Sequence, residues 1–432
     1  MTTTVITGLS LMGGEVADIA IADGVFVEPS GVKGSAKARV IDASGLVALP
    51  GFVDLHTHLR QPGGEQAETV RSGSRAAALG GYTAVHAMAN TVPVADTSEL
   101  VTQVWQWGRA AGYVDVRPVG AVTKGLAGEA LASLGSMARS LPKVRVFSDD
   151  GKCVHDSGLM RRALEQATSL DAVIAQHAQD PRLTEGAQMN DGPLAASLGL
   201  EGWPAVAEES IIARDVLLAE SVGARIHICH LSTAGSLEVV KWAKKRGIAV
   251  TAEVTPHHLL LTEDLVSSFD PLYKVNPPLR RSEDVIALRE GVASGVIDIV
   301  ATDHAPHPSE AKDCSFPEGA FGMLGLESAF AVVMTTLVKP GLVSLDTVAR
   351  IMSTTPAQIG RVSGYSAPLA VGQPAHLTVV DPAGSAGEPH GSLSSNNPYR
   401  DQELVGRVVH TFYSGVQTVT DSQLVELEEK SE

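Results

Sequence analysis

The stretch Phe52-Val53-Asp54-Leu55-His56-Thr57-His58-Leu59-Arg60 is a short apolar run that ends in His-Thr-His. In a strand, side chains at i and i+2 share one face, so His56 and His58 can grip one metal together. Similar runs recur, giving eight strand candidates at 52–56, 82–88, 114–122, 144–149, 172–177, 224–230, 249–255 and 297–302. Helical stretches fall between most of them: Ala67–Leu79, Ser98–Ala111, Gly158–Thr168, Ala205–Ser221, Leu237–Arg246 and Glu283–Ala293. This α/β alternation predicts a parallel sheet. Eight such units favour a closed (β/α)8 barrel of the TIM type over an open doubly wound sheet. No GxGxxG follows the first strand, which counts against a dinucleotide site. Leu342–Val362 reads as closing helices.

The two ends of the chain have a different texture. Thr4-Val5-Ile6-Thr7, Val16–Ile21 and Val25-Phe26-Val27 are short strands, with Asp23-Gly24 as a hairpin turn. Near the other end His376–Val380 and Val408–Tyr413 are strand-like, and Ser414-Gly415 marks a turn. Such strands cannot bury a face alone. The ends are therefore expected to pair into one small composite β domain, 1–50 with 364–432, beside a barrel over 51–363. The tail from Leu424 to Glu432 is expected to fray.

Bulk properties exclude several classes. The chain has 432 residues, 44% of them hydrophobic and 19% charged, as in an ordinary globular protein. A formal net charge of −16, with no dense Lys/Arg run, argues against a nucleic-acid partner. An anionic substrate must then be captured by particular Arg or His side chains, because the global field repels it. Cys153, Cys229 and Cys314 are too few and too scattered for a disulfide framework. With no leader-like or membrane-spanning run, the expectation is a reduced, soluble, cytoplasmic protein without a membrane partner.

In barrels of this kind the active site lies at the C-terminal strand ends. Strand 1 brings His56 and His58 there, with Arg60 just beyond, and strand 2 runs into Ala89-Asn90-Thr91. Strand 4 ends in Ser148-Asp149-Asp150-Gly151, strand 5 in Gln176-His177, strand 6 in Cys229-His230 and strand 8 in Thr302-Asp303-His304. A single histidine at a strand end is more often a satisfied core residue than a ligand. Four histidines and two aspartates at one rim are hard to obtain by chance. Imidazoles with a distant carboxylate on an apolar frame suit a hydrolytic zinc site with an open position for water. His86 lies inside strand 2 and His227 three residues before His230, so both read as packing. His257 and His258 read as supporting residues, and His304 as facing away from the metals. His155 and His410 receive no role, and Cys153 and Cys229 read as core thiols.

The segment Leu49–Arg60 resembles the entry motif of the cyclic-amidohydrolase branch of the amidohydrolase superfamily. Phe147–Gly151, Cys229–Thr233, Thr255-Pro256-His257-His258, Lys274–Arg280 and Ala301–His307 resemble the dihydroorotase family in its bacterial class I form. The resemblance covers essentially the whole chain. It implies two zinc ions per subunit: His56, His58 and Asp303 hold the first, His177 and His230 the second, with an aspartate and a water or hydroxide between them. Many superfamily members bridge through a carbamylated lysine on strand 4. Here Val144-Arg145-Val146-Phe147-Ser148-Asp149-Asp150 ends without one. Asp150 is the favoured bridge and Asp149 the alternative, which otherwise caps the turn before Gly151.

The resemblance further implies that Asp303 is the catalytic general base and then acid. It implies substrate contacts from His58, Arg60, Asn90, Asn276, His307 and the backbone at Phe321-Gly322. Arg60 offers a planar fork matched to carboxylate, against the plainer reading of a surface ion pair. His307 sits in a Pro/Gly-containing stretch, Ala305–Gly325, long enough to be an active-site loop. His376 departs from the Ala-Asp of relatives, far from the rim. The implied activity is the reversible, zinc-dependent cyclisation of N-carbamoyl-L-aspartate to L-dihydroorotate in pyrimidine (UMP) synthesis. A hydantoinase or allantoinase is the rival on the same frame. A silent homologue serving an aspartate transcarbamoylase complex predicts missing ligands, and none is missing. Class I members can still depend on that partner to order the loop, and a homodimer is the expected assembly.

Overall fold

Eight short parallel strands carry the middle of the chain in the computed structural model, which describes residues 3–32, 38–365 and 369–428. They are β1 (Phe52–Thr57), β2 (Tyr82–Ala87), β3 (Asp115–Pro118), β4 (Val146–Phe147), β5 (Val173–Gln176), β6 (Ile226–Ile228), β7 (Val250–Val254) and β8 (Ile299–Val300). Strands β1 to β3 form one parallel sheet and β4 to β8 another, each strand beside its chain neighbour. Single parallel bridges, Gly120↔Phe147 and Thr57↔His304, join the edges of the two sheets.

These strands are apolar on both faces because both are covered. Every residue of β1 and β2 is buried. On the inner side Leu55, Met88, Val146, Val173, Cys229 and Ile299 belong to one cluster, as expected of side chains that fill a strand-lined interior. Several strands are shorter than their apolar runs. The expected 144–149, 224–230 and 297–302 contract to Val146–Phe147, Ile226–Ile228 and Ile299–Val300. The residues that leave the ladder lie at the rim. His230 and Asp303 there take φ values of 32° and 45°, well outside the extended range.

Between the strands lie α1 (Val70–Leu79), α2 (Ser98–Ala111), α3 (Leu134–Arg139), α4 (Ser157–Ser169), α5 (Val206–Val222), α6 (Ala234–Lys245) and α7 (Ser282–Ala293). Their starts follow capping chemistry. Thr69, Thr97, Asp156 and Thr233 each accept a backbone N–H of the first turn through the side chain. That is why α1 begins at Val70 rather than at Ala67. Short α3 carries too little periodicity to be anticipated. Beyond β8 the chain continues helical over 329–338 and 345–360.

The two ends of the chain meet in one nine-stranded sheet. Val47–Pro50 pairs antiparallel with Leu377–Ser385 and parallel with Thr3–Leu11. Its buried side includes Ile6, Leu9, Phe26, Leu377, Val379 and Phe412. Thr378 and Thr411 donate through their hydroxyls to the carbonyls of Gly81 (2.6 Å) and Ala78 (2.8 Å), tying this sheet to α1 and β2. The expected fraying does not begin at Leu424. Leu424 pairs with Val419, and the Leu427 amide donates to the Tyr113 hydroxyl at 3.1 Å. Residues 429–432 of that tail lie outside the described residues. No helix among the described residues is long and apolar enough to cross a membrane.

Phe52 sits at the start of β1 with no exposed surface, its ring 5.7 Å from both Tyr82 and Phe330. Phe52→Ala removes this packing and is expected to destabilise the chain by about 3–5 kcal/mol, read as a lowered urea midpoint.

Candidate metal centre

One buried carboxylate gathers the rim. Asp150 Oδ1 lies 3.2 Å from His56 Nε2, 3.2 Å from His177 Nδ1 and 3.5 Å from His230 Nε2, and its Oδ2 lies 3.3 Å from His58 Nε2. Asp303 Oδ1 faces the same side chains, 3.0 Å from His58 Nε2 and 3.4 Å from His56 Nε2. The strand ends after β1, β4, β5, β6 and β8 thus converge on one point, and all six side chains are buried. Asp149 does not take part. Its Oδ1 accepts the amides of Val122 (2.8 Å) and Thr123 (2.9 Å), and its Oδ2 accepts the Thr123 hydroxyl. It pins the loop after β3 while its neighbour turns inward.

The electrostatics are those of mutual compensation. Burial raises the Asp150 carboxyl, but the imidazoles of His56, His177 and His230 outweigh it and hold the group well below the usual carboxylate range. Burial likewise raises Asp303, and His56 and His58 bring it down. Burial lowers His56, yet Asp150, Asp303 and Glu253 leave it well above an ordinary histidine.

The donors fit a divalent metal. Among the described residues the buried His56 Nε2 makes no hydrogen bond, only the carboxylate contacts above, the condition of a ring nitrogen reserved for coordination. His177 Nδ1 and His230 Nε2 face each other at 2.8 Å. Two trios, His56–His58–Asp303 and His56–Asp150–His230, keep their ligand atoms within 4.8 Å of one another. Imidazole nitrogen and carboxylate oxygen in this mixture suit zinc.

The ligands are oriented from behind. His56 Nδ1 donates to Glu253 Oε1 at 2.7 Å, and Glu253 Oε2 accepts His227 Nε2 at 2.9 Å. His58 Nδ1 donates to Asn90 Oδ1 at 2.9 Å, and His177 Nε2 to Gln179 Oε1 at 2.7 Å. Asp54 accepts the amides of His56 (3.2 Å) and Thr302 (3.0 Å), clamping β1 to the end of β8. Such partners fix which ring nitrogen faces a metal. Glu253, Gln179 and Asp54 are the functional residues that sequence reasoning missed. The signal for Glu253 was present, since a carboxylate inside the apolar strand Val250–Val254 demands a buried partner.

Beside the cluster lies a cavity of about 240 Å³, lined among others by Arg60, Asn90, Asn276, Phe321 and Gly322. Asn276 donates to Gln179 Oε1 at 3.1 Å, while its own buried Oδ1 has no partner among the described residues. Arg60 Nε donates to the Pro306 carbonyl at 3.1 Å. His307 lies against two residues that line this cavity. Its Nε2 donates to the Phe321 carbonyl at 2.8 Å and lies 3.4 Å from the Arg60 guanidinium, and the residue lines a neighbouring cavity. His304 points away toward Glu68. Among the described residues His257 has no hydrogen-bond partner on either ring nitrogen, and burial lowers it to about 4. His227 is hydrogen-bonded on both ring nitrogens, to Thr251 and Glu253, so it is more than packing.

A family model described as Dihydro-orotase-like matches residues 45–236. Among curated relatives, a dihydroorotase of Leifsonia xyli subsp. xyli is 61% identical over 98% of each chain. One of Mycobacterium tuberculosis is 55% identical over 90% of this chain and 91% of its own. Among solved structures, an L-hydantoinase from Arthrobacter aurescens matches with a TM-score of 0.86 at 24% identity, over 99% of this chain and 98% of its own. A dihydropyrimidinase from Brevibacillus agri matches at 0.84 and 22%, over 98% and 96%. The structural likenesses establish a shared fold.

Glu253→Gln removes the anionic partner of His56 Nδ1. Its metal affinity, measured by chelator competition, is expected to fall about 10–100-fold with the fold retained.

Proposed function

The chain belongs to the dihydroorotase family, and from that membership we infer that its rim opens and closes the ring of L-dihydroorotate, interconverting it with N-carbamoyl-L-aspartate in pyrimidine synthesis. The observation that carries this reading at atomic level is Asp150, one carboxylate within 3.5 Å of four imidazole nitrogens. On this reading His56, His58 and Asp303 would hold one zinc ion and His177 and His230 a second, with Asp150 the carboxylate shared between the two groups. A closed barrel over 51–363 belongs to the same reading, supported by the Gly120↔Phe147 and Thr57↔His304 bridges. So does a composite β domain of 1–50 with 364–432, supported by the pairing of Val47–Pro50 with Leu377–Ser385. A cytoplasmic homodimer is its implied setting.

When bound, zinc lowers the pKa of a water to about 7 and polarises the scissile carbonyl. The remaining work falls to side chains. Asp303, kept ionised by His56 and His58, takes the proton of the attacking water as a general base. As the ring C–N bond breaks, the protonated Asp303 returns that proton to the departing nitrogen, leaving N-carbamoyl-L-aspartate. In the reverse direction the same carboxylate accepts the ureido proton as the ring closes.

The substrate carboxylate must be held by a chain of net charge −16. Arg60 supplies the local cation, with five donors of fixed geometry. Asn90, already accepting from His58, has its amide NH2 left for the ligand. Asn276, with its orphaned Oδ1, can accept a ring N–H.

Purified zinc-replete protein is expected to turn over L-dihydroorotate and to leave hydantoin and allantoin untouched. Turnover of hydantoin without dihydroorotate would overturn the assignment. Chelation should abolish activity and zinc restore it, while bicarbonate should have no effect, because the proposed bridge is an aspartate rather than a carbamylated lysine. Asp303→Ala is expected to lower kcat by roughly 10²–10⁴ with KM little changed.

A further inference from the structure

The stretch after β8 reaches the substrate cavity only through its two ends, and one side chain from a distant part of the sequence holds both. Asn396 lies between the strands Leu377–Ser385 and Val405–Tyr413 of the terminal sheet and is 4% exposed. Its Oδ1 accepts the His307 amide at 3.1 Å. Its Nδ2 donates to the carbonyls of Ala305 (3.0 Å) and Gly322 (3.2 Å). Its backbone carbonyl accepts the Leu324 amide at 3.1 Å. Acceptor, both amide hydrogens and main chain are all committed to the two ends of one segment.

That segment closes tightly. Gly322 has φ +145°, and a Cβ placed on it would stand 2.7 Å from His307 Nε2 and 2.8 Å from the Ala305 side chain. Only glycine permits this approach, which brings the Phe321 carbonyl to His307 and presents Gly322 to the cavity. A second fastening acts farther out. Lys312, inside the segment, donates to the carbonyls of Pro271 (2.9 Å), Lys274 (3.0 Å) and Ala320 (2.6 Å). Lys274 in turn donates to Phe316 (3.0 Å) and Pro317 (2.8 Å). The lysines hold the body of the segment, and Asn396 sets the spacing of its ends.

We propose that Asn396 is a positioning residue for the substrate: it clasps Ala305–His307 to Gly322 before any ligand arrives, so that this chain orders its own substrate-binding loop from its terminal sheet and needs no second protein to do so. The ligand's identity rests on the dihydroorotase reading above; the clasp itself rests on the hydrogen bonds. A preformed loop avoids the ordering cost that binding would otherwise bear. Loss of the clasp therefore weakens substrate and transition state alike, which appears in KM rather than in kcat.

The test is N396A, with the wild-type chain as its own control. In N396A, KM for both L-dihydroorotate and N-carbamoyl-L-aspartate is expected to rise about 10–100-fold, with kcat changed less than about threefold and zinc content unaltered. A fall in kcat at unchanged KM, or unchanged kinetics, overturns the proposal. Hydrogen exchange on the wild type, without substrate or partner, gives an independent readout. The amides of His307 and Leu324, which both donate to Asn396, are expected to be protected; exchange at unprotected rates overturns the proposal even if N396A cannot be produced. The exchange result does not depend on which ring the enzyme opens, so failure of the clasp and failure of the proposed substrate are distinguishable.

Discussion

The whole arrangement depends on keeping a carboxylate charged in the interior. Asp150 is 4% exposed and surrounded by ring nitrogens. An isolated ionised carboxylate there is prohibitively costly, and four imidazoles with a divalent metal make it tolerable. Those imidazoles must then be held with the correct nitrogen inward. That demand brings in Glu253 behind His56, Asn90 behind His58 and Gln179 behind His177. Glu253 is itself a buried charge and needs His227 and the His230 amide. The polar network is therefore one connected object, its six central side chains drawn from five strand ends.

The fold serves this object by ending its strands early. A strand that stayed in the ladder to its last apolar residue would send alternate side chains to opposite faces. His230 and Asp303 leave that pattern through positive φ, and Asp54 holds the distorted ends of β1 and β8 together. The terminal sheet does more than pack beside the parallel strands. Through Thr378 and Thr411 it is fixed to the α1–β2 corner, and through Asn396 it reaches the segment that carries His307.

Much of this was legible in the sequence, and the limits have physical causes. The alternation of apolar runs and helical stretches marks the eight strands, and the chemistry at their ends marks His56, His58, His177, His230 and Asp303. Adjacent Asp149 and Asp150 could not be told apart by type, because the choice depends on which one the backbone turns toward the loop amides of Val122 and Thr123. Gln179 and Asn396 were not legible, since a polar amide in a loop declares nothing until its partners are placed. The strand boundaries erred at the rim, where the turn of His230 and Asp303 into the polar cluster overrides the preference for extended backbone.

In the proposed site Asp150 would lie between two metals. Anomalous diffraction at the zinc edge, from crystals grown with zinc, tests this most directly. The account predicts two peaks, one among His56, His58 and Asp303 and one beside His177 and His230, with Asp150 touching both. A single peak, or two peaks with Asp150 turned away from them, would contradict it.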